Sequence, residues 1–320
     1  MNIEYILIVH GEPYSTFSEI LGKFFKKKKK FKRKIILIGS YELINDQLQK
    51  LGYSFPIYKI SNIKEAKKNR INLINIKFKY KKIFDKISVK SNKYIKSSFN
   101  VCLENLKIIK NNGVLINGPI SKKTFLKNKY LGVTEYLSKK TGSKNEVMLI
   151  YSNKLSVSPL TTHIPIKYVA NRIEKQKIIK NIISIKNFYK TQIKKNVRFA
   201  VLGLNPHCET IDKFSEEEKI IKPSIKILRK KGLKIDGPFS ADTFFLKKNI
   251  IKYDVVCGMY HDQVLTPIKT LYNFEAINVT LGLPFIRISP DHGPNSEMLG
   301  KNKSDQSSFA FAMNFIDKYK

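Results

Sequence analysis

The chain has 320 residues, 42% of them hydrophobic, and a formal charge of +35, so it can bury one or two substantial cores. The charge does not point to nucleic acid: only six of the 60 basic residues are Arg, the usual choice for specific phosphate recognition, and the lysines lie among abundant Ile and Asn, as an A/T-rich coding bias would spread them. No apolar run reaches membrane-spanning length, the start lacks secretory-signal features, and Cys102, Cys208 and Cys257 show no metal-type spacing, which together predict a soluble cytoplasmic protein.

Tyr5–Val9 is predicted as a strand, followed by GEPYSTFSE, where Thr16 and Glu19 have capping-box spacing for a helix from Phe17. The basic run 26–34 reads as a solvated helix end leading into a second strand, Lys34–Gly39, and residues 41–51 as a helix stopped by Gly52. Residues 53–95 have weak periodicity and no assignable chemistry. Phe99, Cys102, Leu103, Leu106 and Ile109 share one helix face, and residues 114–117 form a strand running into Gly118 and Pro119. Val147–Tyr151 is a further strand, with TTHIP (161–165) in the loop after it, and 174–193 an amphipathic helix with a solvated lysine face.

Residues 198–204 form a strand that delivers Asn205, Pro206 and His207, and Ser215 to Glu218 opens the next helix as a capping box. Residues 253–259 and 276–281 read as short strands buried on both faces, and 308–319 as a closing helix over the core. The βα rhythm predicts a layered α/β fold with polar chemistry beyond the carboxyl ends of the strands.

Three of the five histidines, His163, His207 and His261, each follow a strand, with Asp242 and Asp262 in neighbouring blocks. No H-E-x-x-H spacing is present, so the residues alone favour hydrogen-bonded loop histidines, and Asp242 reads equally as a general base or as a cap on the turn after Pro238. Arg287, so rare a residue type here, stands out as an anion-binding side chain. No GxGxxG fingerprint occurs, so any dinucleotide would not sit on a Rossmann turn.

The blocks NGPISK (117–122), GVTE (132–135), TTHIP, GLNPH (203–207), GPFSADTFF (237–245), YHDQ (260–263), Pro267-x-Lys269, NVTLGLP-x-x-R-x-S (278–289) and DHG (291–293) occur in one order. Together they resemble the 4-hydroxythreonine-4-phosphate dehydrogenase family of pyridoxal phosphate synthesis, which is related to isocitrate and isopropylmalate dehydrogenases. The resemblance implies a three-layer α/β/α fold with two lobes around a central cleft. Residues 1–128 with 282–320 would form the dinucleotide side, and 129–281 the lobe of metal and substrate loops. It implies a homodimer in which His163, His207 and His261 bind one divalent cation (zinc, magnesium or cobalt) at the interface, two rings from one chain and one from its partner.

By the same resemblance, Thr134, Lys269, Asn278 and Arg287 bind substrate, Asp242 and Asp262 are the catalytic carboxylates, and Asp291, His292, Gly293 and Gly300 approach NAD or NADP. The implied reaction is oxidative decarboxylation of 4-phosphooxy-L-threonine to 3-amino-2-oxopropyl phosphate. Two departures stand out. The family turn GDP-x-GIGPE is GEPYSTFSE here, and Val133 stands where the family has His. They leave open a dehydrogenase of another phosphorylated hydroxy acid, or a metal-binding homologue without activity.

Overall fold

The computed structural model describes residues 3–318 apart from 111, 127–129, 209–213, 273–275 and 291–292. The chain forms two compact units, residues 1–142 with 283–320 and residues 143–282. The division falls at 142 and not near 128, because the helix α4 (Val133–Thr141) sends Tyr136 and Leu137 into the first unit's core.

In the first unit, β1 (Tyr5–Val9), β2 (Lys34–Gly39), β3 (Ile57–Ile60), β4 (Ile71–Asn75), β5 (Gly113–Asn117) and β12 (Ile286–Ser289) pair in parallel in the order β3-β4-β2-β1-β5-β12. Tyr5, Leu7 and Val9 share a cluster with Tyr94, Phe99 and Leu106 of α3 (Asn92–Ile108), while Ile6 and Ile8, which alternate to the opposite face, are equally inaccessible. The strands are therefore covered on both sides. Phe309 of α10 (Ser307–Asp317) meets Phe17 and Phe24 of α1 (Phe17–Lys27) edge-on at 5.6 and 5.1 Å. Helix α2 (Tyr41–Lys50) is capped by the Ser40 hydroxyl.

Two details differ from the sequence expectation. β3 and β4 lie in the stretch without periodicity, where buried Asn72 donates through Nδ2 to Ile35 O and Lys67 O; a polar residue satisfied in this way breaks the apolar signature of a strand. The capping box of α1 does not form. Thr16 makes no cap bond, and Glu19 turns instead to Lys23 at 2.8 Å and the Ser304 amide at 2.5 Å.

His10, just past β1, is fully buried. Gln47 Nε2 donates to Pro13 O and Ile83 O, so Gln47 Oε1 accepts the Ser18 hydroxyl at 2.6 Å, and Ser18 Oγ accepts from His10 Nε2 at 2.8 Å. Burial pushes the ring's pKa from 6.5 down to about 4, so it is neutral at neutral pH. Below pH 6.5 the unfolded chain takes up a proton that the folded form refuses, so stability is lost as pH falls through the window from 6.5 to about 4. The loss is expected to reach ~3 kcal/mol, and urea unfolding across this range should give a flatter pH dependence for His10→Gln than for wild type. Parallel curves would remove His10 as the cause.

The second unit holds β6 (Val147–Tyr151), β7 (Ser156–Thr161), β8 (Arg198–Leu202), β9 (Lys234–Phe239), β10 (Val255–Tyr260) and β11 (Ile277–Leu281) in the order β11-β6-β7-β10-β8-β9. β6 is antiparallel to both its neighbours, whereas β7, β10, β8 and β9 run parallel. The connections carry α5 (Lys175–Phe188), α6 (Lys222–Lys230), the short α7 (Ala241–Phe244) and α8 (Lys247–Ile250), and α9 (His261–Tyr272). β7 and β9 carry no strand signal in the sequence, since serines and prolines interrupt them. In β7 the serines are satisfied in the core: Ser158 Oγ donates to Met148 O at 2.7 Å, and Ser156 Oγ accepts from Tyr189 at 2.7 Å. Among the described residues, no helix is long and apolar enough to cross a membrane.

Candidate active site

Because β7, β10, β8 and β9 are parallel neighbours, their carboxyl ends share one edge of the second unit, and the segments that leave it carry His163, His261, His207 and Asp242. His261 does not lie in a loop. β10 passes straight into α9, so His261 and Asp262 open the helix and Lys269 falls exposed in its last turn. His207 adopts a left-handed backbone (φ 58°) in the turn after β8.

Buried side chains that the sequence reading passed over fasten these segments together. Thr161 Oγ1 donates to Met259 O at 2.7 Å, tying the end of β7 to β10. Gln263 Oε1 accepts from the Met259 amide and its Nε2 donates to Gly203 O, both at 2.7 Å, tying β10 to the β8 turn. Glu217 accepts from the Leu204 and Asn205 amides at 2.7 and 2.9 Å. Burial works to raise the Glu217 pKa, but these hydrogen bonds outweigh it and hold the carboxyl below its usual range. Gln263→Leu would leave two buried backbone groups unpaired. It is expected to cost about 2–4 kcal/mol in thermal or urea unfolding, whereas a loss under about 1 kcal/mol would mean the tie is dispensable.

The His163 and His261 rings stand 5.7 Å apart between centroids at 41°. His261 Nδ1 pairs with Asp262 Oδ1 at 2.7 Å, which fixes the tautomer and leaves Nε2 as an acceptor. Two imidazoles on one tetrahedral zinc, with Zn–N of about 2.0–2.1 Å, place their centroids roughly 5 Å apart, a spacing close to that of this pair. Among the described residues no three His, Cys, Asp or Glu side chains gather closely enough to hold a metal, so a single chain brings two of the three rings together. Asp242 is exposed and accepts from Ser240 Oγ at 2.6 Å; this bond chiefly, with the Thr243 amide and nearby His207, holds its carboxyl below the usual range. Each carboxylate thus stands beside a histidine.

In the first unit, Arg287 sits within β12, next to β5, and is 4% exposed. Its Nε donates to Asn117 Oδ1 at 2.8 Å and a terminal nitrogen donates to Thr134 Oγ1 at 2.9 Å. Asn117 Nδ2 donates to Gly118 O at 2.9 Å, which orients the amide so that its oxygen meets the guanidinium. Burial lowers the Arg287 pKa to about 10 while Glu135 works against it, so the group stays charged at neutral pH. Thr134 occupies the first turn of α4, and Val133 beside it packs against the first core. Asn278, on β11 of the second unit, has a buried Oδ1 without a hydrogen bond.

Of the cofactor positions, Asp291 and His292 lie outside the described residues. Gly293 and Gly300 are exposed, and Gly300 (φ +74°) faces the Phe84 ring, a conformation that disfavours any side chain. Pro294 O accepts from the Thr16 amide at 3.3 Å, which brings this segment against the β1–α1 turn.

The chain is an α/β protein of two compact units. An isocitrate dehydrogenase from Methylococcus capsulatus matches at a TM-score of 0.51 and 8% identity, over 98% of this chain and 85% of that one, a likeness of fold alone. The chain belongs to the family of pyridoxal phosphate biosynthetic protein PdxA, whose family model matches residues 31–316. A 4-hydroxythreonine-4-phosphate dehydrogenase of Sulfurihydrogenibium sp. (strain YO3AOP1) is 36% identical over 311 residues, 95% of this chain and 94% of that protein. A crystal structure of the dehydrogenase of that name from Burkholderia phymatum has a TM-score of 0.79 at 26% identity and covers 99% of both chains. A D-threonate 4-phosphate dehydrogenase of Pectobacterium atrosepticum is 36% identical over 185 residues, 58% of this chain and 57% of that protein.

Proposed function

We propose that the protein is an NAD-dependent 4-hydroxythreonine-4-phosphate dehydrogenase of pyridoxal 5'-phosphate synthesis. The observation that carries this reading is Arg287, a buried guanidinium oriented by Asn117 and Thr134. Held along two directions by these side chains, the planar fork suits a phosphate or carboxylate. Thr134, Lys269 and Asn278 complete the substrate set, and Gly293, Gly300, Asp291 and His292 the dinucleotide side.

His163, His207 and His261 are the residues that would hold a divalent cation, zinc being the ion best matched to three imidazoles. A bound cation lowers the pKa of a substrate hydroxyl and stabilises negative charge on its oxygen, and a nicotinamide supplies the hydride acceptor. Asp262 keeps His261 in the ligating tautomer, while ionised Asp242 is the acceptor for the hydroxyl proton. As the hydride leaves C3, the alcohol becomes a ketone, and the β-keto acid loses carbon dioxide. We also read the histidine edge as a subunit interface that supplies the third ring. Exposed Ile166 (74%), Phe214 (70%) and Leu246 (51%) lie in the segments that leave this edge, apolar surface that a second copy would cover.

The test is NADH formation from 4-phosphooxy-L-threonine with a divalent cation; no turnover above a His163→Ala control would sink the reading. A second reading keeps the chemistry and changes the substrate. Val133 offers no hydrogen bond where the family has His, so faster turnover of a phosphorylated D-threonate than of phosphothreonine would move the assignment to it.

A further inference from the structure

Glu12 lies in the turn between β1 and α1 and is fully buried, yet neither of its carboxylate oxygens has a hydrogen-bond partner. Burial raises the pKa of this carboxyl, and the donors that oppose the shift are the nearby Ser91 hydroxyl, itself buried, and the Tyr14 amide. No Lys or Arg is among the groups acting on this carboxyl, in a chain with 60 of them. The backbone holds Glu12 firmly: its amide donates to Pro119 O at 2.9 Å, and its carbonyl accepts from Ser15 Oγ at 2.8 Å. Gly11 before it (φ +80°) leaves no room for a side chain against Pro119 O, so the turn requires glycine there.

A buried, unpaired, rigidly held carboxylate costs stability, and natural chains retain such groups where a ligand supplies the missing partner. The position agrees. β1 pairs with β5, which pairs with β12, so Glu12, the Gly118–Pro119 turn and Arg287 are brought to neighbouring strands of one unit.

We propose that Glu12 is a ligand-contacting residue that accepts hydrogen bonds from an O–H or N–H donor of a bound small molecule, either the ribose diol or carboxamide of the dinucleotide or the ammonium of the amino-acid substrate. This rests on the dehydrogenase reading above. The two sources share one chemistry, donors offered to a carboxylate that the protein itself leaves unpaired.

Glu12→Gln tests it, with NADH titrated by fluorescence and 4-phosphooxy-L-threonine by calorimetry, alongside apo melting temperature. The expected result is an apo protein that melts no lower than wild type, because an uncompensated buried charge has gone, with affinity for one of the two molecules weakened about 10-fold to 100-fold. Weakened NADH binding assigns the dinucleotide donor, and weakened substrate binding the ammonium. Unchanged affinity for both, or a variant that melts several degrees lower, overturns the assignment in favour of a structural carboxylate. If wild-type protein binds neither molecule, the dehydrogenase reading fails and takes this one with it; binding by wild type and variant alike overturns only the role of Glu12.

Discussion

Arg287→Met is expected to lower kcat/KM for the phosphorylated substrate by two to three orders of magnitude while leaving the protein folded. Removing one partner of a buried, charge-assisted contact costs about 3–4 kcal/mol, which is a factor of ~10² to 10³. The stability change should be much smaller. Met has a similar volume and no charge to desolvate, so its gain offsets the roughly 1–3 kcal/mol lost when Asn117 Oδ1 and Thr134 Oγ1 lose their donor. Arg287→Lys separates charge from shape: it keeps the positive charge but cannot donate along both directions that Asn117 and Thr134 define, so it should recover only part of the activity. Steady-state kinetics beside thermal unfolding decide the matter. Full activity in the Lys variant would show that charge alone suffices, and wild-type kinetics in the Met variant would remove Arg287 from the site.

On the proposed reading, His261→Ala is expected to abolish tight divalent-metal binding and to reduce turnover by about 10³-fold or more, since a three-imidazole site would lose one ligand and the hydroxyl activation that a bound ion provides. Asp262→Asn should be milder. It retains the ligand ring but loses the carboxylate on Nδ1 at 2.7 Å, a change of a kind that costs about 10-fold to 100-fold in metal affinity. Zinc titration by calorimetry orders the two variants, and excess metal should restore turnover in Asp262→Asn but not in His261→Ala. Equal metal affinity in wild type and His261→Ala would show that the ion, if bound, sits elsewhere.

The candidate chemical groups stand out in the sequence because they are rare and lie in ordered blocks: five histidines and six arginines in a chain crowded with lysine leave few candidates. β1, β2, β5, β6, β8, β10 and β11 were legible because apolar runs between turn residues have a local signature. β3, β4, β7 and β9 were not. Polar residues and prolines interrupt their apolar pattern, and buried Asn72, Ser156 and Ser158 are paid for by hydrogen bonds to partners that no local pattern discloses. The capping box at Thr16 failed for a related reason: a contact from far along the chain, the Ser304 amide, outcompeted the local one for Glu19.

By itself, then, the sequence determined the α/β rhythm and nominated the side chains proposed to do the chemistry, since both depend on residue type and on spacing within a few positions. The tertiary structure alone decided how those side chains are held. Arg287 is oriented by Asn117 across 170 positions, Gln263 reaches Gly203 across 60, and Glu12 is buried without a partner in a turn that seemed only eroded by sequence. Strand order sets such pairings, and a hydrogen bond between strand ends leaves no trace in the spacing of the residues that make it.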